Sequence, residues 1–295
     1  MSAWRPDPLL PDFEALELAQ PDDYEGAVVA TLVRLPTGDA PRGAVLYVHG
    51  HNDYFFQRHM AQRFAAEGYA FHALDLRKCG RSTLPHQHVH YCADLREYYA
   101  DIEAALQAIG APVLLAGHSS GGLLCALYAH EGARRADIRA LWLNSAFFGW
   151  GMPNAWWRFK LRLGAALGRF FPYAVSRKPR HSSNTGHMRE AWEFDTSLKR
   201  PEGMPVYYGW VRAICSAQRR VRRGLAIGCP VLSMHSDETD LVLDWREIAR
   251  GSRALGPRVT VLAFPGAFHD LVLSAPQVRE AVFSALFAWA ERALA

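Results

Sequence analysis

Gly117-His118-Ser119-Ser120-Gly121 places a serine between two glycines. It follows the apolar run Pro112-Val113-Leu114-Leu115-Ala116 and precedes Gly122-Leu123-Leu124-Cys125-Ala126-Leu127, which suits a helix. A strand, a G-x-S-x-G turn and a helix in that order form a nucleophile elbow. The turn is so sharp that only glycines fit on either side of the serine. It lifts the Ser119 hydroxyl to a helix N-terminus, whose dipole favours a developing negative charge. A serine hydroxyl is a weak nucleophile at neutral pH, so it needs a base, and the base needs an orienting carboxylate.

The base expected is His269, in Pro265-Gly266-Ala267-Phe268-His269-Asp270. It is the only histidine after the last predicted strand, where the chain order serine, acid, histidine requires it. The acid must come from Met234-His235-Ser236-Asp237-Glu238-Thr239-Asp240-Leu241-Val242-Leu243-Asp244, where four carboxylates compete. Asp237 is nearest the strand end, and Asp244 reads as the N-cap of a helix opening at Trp245-Arg246-Glu247. Asp240 sits mid-loop, ahead of an apolar Leu-Val-Leu that could anchor the loop. It is the preferred acid, with Asp237 next. Stabilising a tetrahedral oxyanion takes two backbone N–H groups. One is expected from Ser120 and the other from His51, in the loop after Tyr47-Val48-His49-Gly50. Gly50 allows close backbone approach, and with His118, Trp150 and Trp156 it is a candidate for substrate contact.

These groups need a scaffold. Two apolar stretches, 13–18 and 28–35, read as an opening antiparallel pair. Compact apolar runs at 44–49, 70–74, 113–116, 138–143, 231–234 and 259–264 read as further strands. They alternate with helical patterns at 55–67, 91–109, 121–130, 244–255 and 277–294. That alternation predicts a mostly parallel sheet covered on both faces, with ligands beyond the carboxyl ends of its strands. From about 147 to 228 no clear strand is predicted. The stretch is rich in Trp, Phe and Arg and reads as a helical lid inserted into the core, leaving 1–146 and 229–295 as the core itself. Its aromatics (Trp150, Trp156, Trp157, Phe159, Phe170, Phe171 and Tyr173) are expected to pack down onto the core, and Arg158, Arg162 and Arg169 to face water. The sharper alternative is an acyl-binding wall with a basic rim that favours lipid surfaces.

The chain has 295 residues, half of them hydrophobic, and a formal net charge of +4. That is ample for one large domain with an insertion. The mild charge carries no nucleic-acid motif. The N-terminal stretch shows no basic-then-apolar leader and no run is long enough to span a bilayer. Cys79, Cys92, Cys125, Cys215 and Cys229 are scattered and odd in number, as expected of reduced thiols in a cytoplasmic protein. His86-Gln87-His88-Val89-His90 is metal-like in spacing, but no carboxylate or cysteine lies at a short ligand spacing in its loop. It reads as a solvated or lid-contacting loop, with neither metal nor cofactor expected.

Taken in order, His49-Gly50-His51, Asp75-Leu76-Arg77-Lys78-Cys79-Gly80-Arg81-Ser82, Gly117-His118-Ser119-Ser120-Gly121-Gly122, the acid loop and Gly266-Ala267-Phe268-His269 resemble the α/β-hydrolase superfamily. The resemblance is to its serine-aminopeptidase-like, monoacylglycerol-lipase-like branch and covers the chain from about Gly43 onward, except the lid. It implies an α/β-hydrolase fold, a Ser-Asp-His triad, and small ester or lipid-ester substrates. Three departures stand out. Lys78 and Cys79 replace the usual glycine and histidine or aromatic of D-x-R-G-x-G-x-S. Ser120 stands where methionine is commoner. The acid loop fits H-G-x-x-D only with a one-residue insertion. Asp75 and Arg77 are expected to order a loop near the site. The reading is an esterase acting through an acyl-serine, with an aminopeptidase or acyltransferase on the same triad as alternatives. Trp192-Glu193 faintly resembles the glutamate-bearing lid of proline iminopeptidases. A non-enzymatic ligand-binding member of the fold is the alternative of another class.

Overall fold

Alternating apolar residues decide the architecture. In Gly43–Val48 (β4), Ala44, Leu46 and Val48 enter one core cluster, and Val45 and Tyr47 the other. In Val113–His118 (β6), Val113 and Leu115 face the first cluster and Leu114 and Ala116 the second. Strands buried on both faces must lie inside a layered domain. The computed structural model describes residues 3–36, 38, 41–152, 154–177, 191–237 and 239–294.

Nine strands form one sheet in the order β1-β2-β3-β5-β4-β6-β7-β10-β11. Arg5–Pro6 (β1), Glu14–Ala19 (β2) and Val29–Arg34 (β3) are antiparallel, and β3 also runs antiparallel to Tyr69–Asp75 (β5). From β5 onward, β4, β6, Ile138–Asn144 (β7), Val231–Ser236 (β10) and Val259–Phe264 (β11) are parallel. Arg58–Ala66 (α1) and Pro276–Leu294 (α7) cover one face. Tyr99–Ile109 (α2), Ser120–Glu131 (α3), Tyr208–Arg222 (α5) and Trp245–Ser252 (α6) contribute to the other. The chain leaves β4 toward β5 on one side and returns to β6 on the other, so a crevice opens at the carboxyl ends of β4 and β6.

Between β7 and β10 lie Ala155–Leu167 (α4), two short antiparallel strands, Val175–Arg177 (β8) and Val206–Tyr207 (β9), and α5. Those strands are a correction to the strandless reading of this stretch; two or three residues leave no periodic signal. Helix α5 packs into the core through Trp210, Ile214 and Val221. Helix α4 closes on the start of α5 where Gly164 and Gly168 meet Tyr208. The aromatics of α4 and the following turn do not pack down: Trp156, Trp157, Phe159, Phe170 and Phe171 are 48–71% exposed. Among the described residues, Leu161, Gly164 and Ala165 carry the contact of α4 with the core and α5, which leaves Trp156 and Phe159 outward. Among the described residues, no helix is long and apolar enough to cross a membrane.

Candidate active site

The elbow's backbone explains its sequence. Ser119 has φ 52° and caps α3. Such a left-handed, strained conformation persists in a serine only when its surroundings hold it. Here the Ser119 amide donates to the Asn144 carbonyl (3.0 Å), and the Leu123 and Phe147 amides donate to the Ser119 carbonyl. A Cβ on Gly117 would stand 2.7 Å from the Gly121 carbonyl oxygen, and one on Gly121 would stand 2.6 Å from that of Val48. Both glycines are therefore obligatory packing points between β4, β6 and α3.

Ser119 Oγ lies 3.1 Å from His269 Nε2, and His269 Nδ1 lies 2.9 Å from Asp240 Oδ2. Three loops from the ends of β6, β10 and β11 thus bring serine, imidazole and carboxylate into one line. The Asp240 side chain is fully buried, and that of His269 is 13% exposed. Burial alone would raise the Asp240 pKa. The His269 ring, its hydrogen bond and the Leu243 and Val242 amides outweigh burial and hold the group below the usual carboxylate range.

The competing acids stand elsewhere. Asp237 accepts from the Thr239 amide and hydroxyl and the Gly266 amide, which tie the acid loop together. Asp244 caps α6 by accepting from the Arg246 amide. Glu238 lies outside the described residues.

A cavity of about 650 Å³ opens over Ser119, and His51 and Ser120 line it beside that serine. Trp150, Trp157, Leu161, Leu167, Trp210 and Val242 supply apolar walls. Three expected contacts fall outside it. Trp156 points outward and stacks on Phe159, and its neighbour Trp157 takes the wall position, since successive helical residues face about 100° apart. His118 is buried behind the site, with Nδ1 3.1 Å from the Asn144 carbonyl and its ring 4.9 Å from that of His269. Gly50 borders only a void of about 20 Å³ next to His49 and His90. The cation on the wall is Lys160; Arg158, Arg162 and Arg169 are exposed. Glu193 is exposed too, while Trp192 is pinned to the core by its Nε1–H donating to the Leu273 carbonyl.

The His51 ring lies 4.3 Å from Trp210 and 5.1 Å from His90. Burial, and then nearby His49, push its pKa down to about 4. The imidazole is therefore neutral at pH 7 and adds no charge to the cavity.

Asp75, Arg77 and Lys78, singled out in the sequence, hold the loop after β5. Asp75 accepts from the Phe55 and Arg81 amides and the Arg81 guanidinium, and Arg77 pairs with buried Asp101 at 2.6 Å. Lys78 occupies the usual glycine position with φ 63°, fully buried, its ammonium 2.7 Å from Asp23 and 2.6 Å from Glu25. The three histidines of 86–90 part company: His86 reaches the Ala27 carbonyl, His88 the Glu25 carboxylate, and His90 the Cys79 thiol. The one group of possible metal-ligating side chains among the described residues is Asp53, His118 and Asp270. There the Lys199 ammonium, 2.7 Å from Asp53, already supplies a cation.

The family model described as serine aminopeptidase, S33, matches residues 39–276. A monoacylglycerol lipase of Mycolicibacterium smegmatis is 28% identical over 253 residues, covering 78% of this chain and 82% of that protein. Among solved structures, a soluble variant of monoglyceride lipase from Saccharomyces cerevisiae has a TM-score of 0.73 at 19% identity, covering 94% of this chain and 96% of the other. A carboxyl esterase from Bacillus coagulans also has a TM-score of 0.73, at 16% identity, covering 95% and 99%. The chain belongs to the family described as serine aminopeptidase, S33, and has the α/β-hydrolase fold.

Proposed function

We propose that the protein hydrolyses carboxylic esters with apolar acyl groups through an acyl-serine intermediate, in the manner of a monoacylglycerol lipase. The observation that carries the reading is the hydrogen-bonded line Asp240–His269–Ser119 ending in a large apolar cavity. Ser119 Oγ attacks the ester carbonyl as His269 Nε2 takes its proton. The His51 and Ser120 amides hold the oxyanion. Collapse expels the alcohol, which leaves with the proton from His269. Water then attacks the acyl-serine by the same path reversed, releasing the acid. Asp240 keeps Nδ1 protonated, so that Nε2 is free to accept, and stabilises the imidazolium as it forms. No step draws on a cofactor.

Residues 147–228 act as the lid, and α4 is its exposed edge. Trp156 and Phe159 lie among Arg158, Lys160 and Arg162, a composition suited to touching a lipid surface where substrate resides. Five unpaired cysteines favour a reducing compartment, the cytoplasm. The family's description also raises an aminopeptidase. Among the described residues lining the cavity there is no carboxylate to hold a substrate amine, and Lys160 would repel one.

The deciding experiment runs p-nitrophenyl esters of rising acyl length, monoacylglycerols and aminoacyl p-nitroanilides on one preparation, beside Ser119→Ala. Each buried methylene adds about 0.8 kcal/mol, so kcat/KM should climb roughly fourfold per carbon over the first several. Preferential cleavage of the anilides would install the aminopeptidase, and a Ser119→Ala enzyme with wild-type turnover would remove the mechanism altogether.

A further inference from the structure

The loop after β4 is held from far along the chain. Asn52, Asp53 and Tyr54 follow His51, and each is gripped by the segment 195–200 of the insertion. Asn52 Nδ2 donates to the Arg200 carbonyl and Asn52 Oδ1 accepts from the Arg200 amide, both at 3.1 Å. This reciprocal pair resembles a rung of a strand ladder, built with one side chain. Lys199 Nζ lies 2.7 Å from Asp53 Oδ1, the side chains being 11% and 2% exposed. The Tyr54 hydroxyl oxygen accepts from the Asp195 amide at 2.7 Å. The gripping segment is itself a closed turn, because Asp195 accepts from the Ser197 amide and hydroxyl and its carbonyl accepts from the Lys199 amide.

We infer that segment 195–200 is a strap that sets the oxyanion-side loop, with Lys199 as its positioning residue; this rests on the reading of the His51 amide as an oxyanion donor. Two physical features support it. Asn52 has φ 56°, a left-handed conformation that needs outside support. The paired Arg200 backbone supplies that support one residue beyond His51. Gly50, one residue before it, lies so close to the nucleophile that a Cβ there would stand 3.0 Å from Ser119 Cβ. Any movement of the loop is therefore movement of the donor relative to Ser119, and a misplacement of about 1 Å can cost on the order of 10²-fold in rate.

The Lys199–Asp53 pair is also buried, so removing one partner strands the other. Asp53 stands with His118 and Asp270 in a group whose ligating atoms lie within 4.8 Å of one another. The Asp270 carboxylate accepts from Asn144 Nδ2 at 2.7 Å and Gln57 Nε2 at 3.3 Å, and the residue adjoins His269 in the chain. The Lys199 charge thus neutralises an acidic cluster directly behind the imidazole, and it is delivered by the insertion rather than by the core.

The test is a set of Lys199 variants assayed with a p-nitrophenyl ester. Lys199→Met should lower kcat about 10- to 100-fold, part of the 10²–10³ that loss of one oxyanion donor costs, with KM within about twofold. Affinity for an alkyl boronic acid, which mimics the tetrahedral adduct, should fall in parallel with kcat. Lys199→Arg keeps the charge and should hold kcat within about fivefold of wild type; an arginine variant as slow as the methionine one counts against the strap. The double variant Asp53→Asn/Lys199→Met removes the stranded charge and serves alone if the single variant does not fold. Its Tm should rise toward wild type while kcat stays low. Recovery of kcat together with Tm, or a Lys199→Met enzyme with unchanged kcat and boronate affinity, overturns the inference. Neither result touches the ester-hydrolase reading, which stands or falls with Ser119→Ala.

Discussion

Asp240→Asn separates orientation from burial. Asp240 Oδ2 faces His269 Nδ1 at 2.9 Å, while Oδ1 accepts from the Val242 and Leu243 amides at 2.8 and 3.0 Å. An asparagine can keep its oxygen on the two amides, so the loop should hold. Its NH₂ then faces His269 Nδ1 and can only donate. The imidazole responds by carrying its proton on Nε2, where it cannot accept from Ser119. Losing that tautomer should lower kcat by roughly 10⁴, equivalent to about 5 kcal/mol of transition-state stabilisation. Stability at pH 7 should fall modestly, because the contribution of the charged carboxylate is fully present there. The pH dependence of stability supplies a second readout. A carboxyl held below its unfolded pKa stabilises the fold above about pH 4, and this is lost as pH falls through the folded value. Asp240→Asn should therefore flatten the acid limb of the Tm–pH curve while cutting kcat on a p-nitrophenyl ester. Asp237→Asn, whose carboxylate accepts from Thr239 and Gly266, should stay within about tenfold of wild type. An Asp240→Asn enzyme within tenfold of wild type, beside an inactive Asp237→Asn, would refute the reasoning.

Gly121→Ala drives a methyl into the backbone of β4 and should destabilise the fold by about 3 kcal/mol in urea unfolding and remove ester hydrolysis. Burial pushes His51, His59 and His72 down to about 4. The unfolded chain then binds more protons than the fold between about pH 4 and 6.5, so stability should be complete above 6.5 and decline toward pH 4. Tm of wild type and His72→Gln at pH 7 and 5 checks this, the variant losing less on acidification. Prolonged EDTA treatment should leave ester hydrolysis unchanged, because the Lys199 ammonium already neutralises the Asp53, His118 and Asp270 group.

Local chemistry made much of this protein legible from its amino acids. The strands at β4, β6 and β11 follow from short apolar runs, the elbow from its glycines, and the capping role of Asp244 from its place before a helical pattern. Each depends on residues within a few positions of one another. The order of Ser119, Asp240 and His269 was readable because each falls at a strand end, and the apolar Leu-Val-Leu after Asp240 favoured it over Asp237 without excluding that residue. Asp237 and Asp240 differ by three residues in sequence, and only the path of the β10 loop turns one toward His269 and the other toward Gly266. Long-range packing decided the rest. The Lys78 ammonium is paired at its buried position because Asp23 and Glu25 arrive from the loop between β2 and β3. Trp157 rather than Trp156 lines the cavity because of the face on which α4 meets α5. Lys199 lies in no motif, and it reaches Asp53 only because the insertion folds back across 146 residues of chain. Periodicity and turn chemistry report what a residue's neighbours in the chain demand, whereas these pairings are set by which surfaces the folded chain brings together.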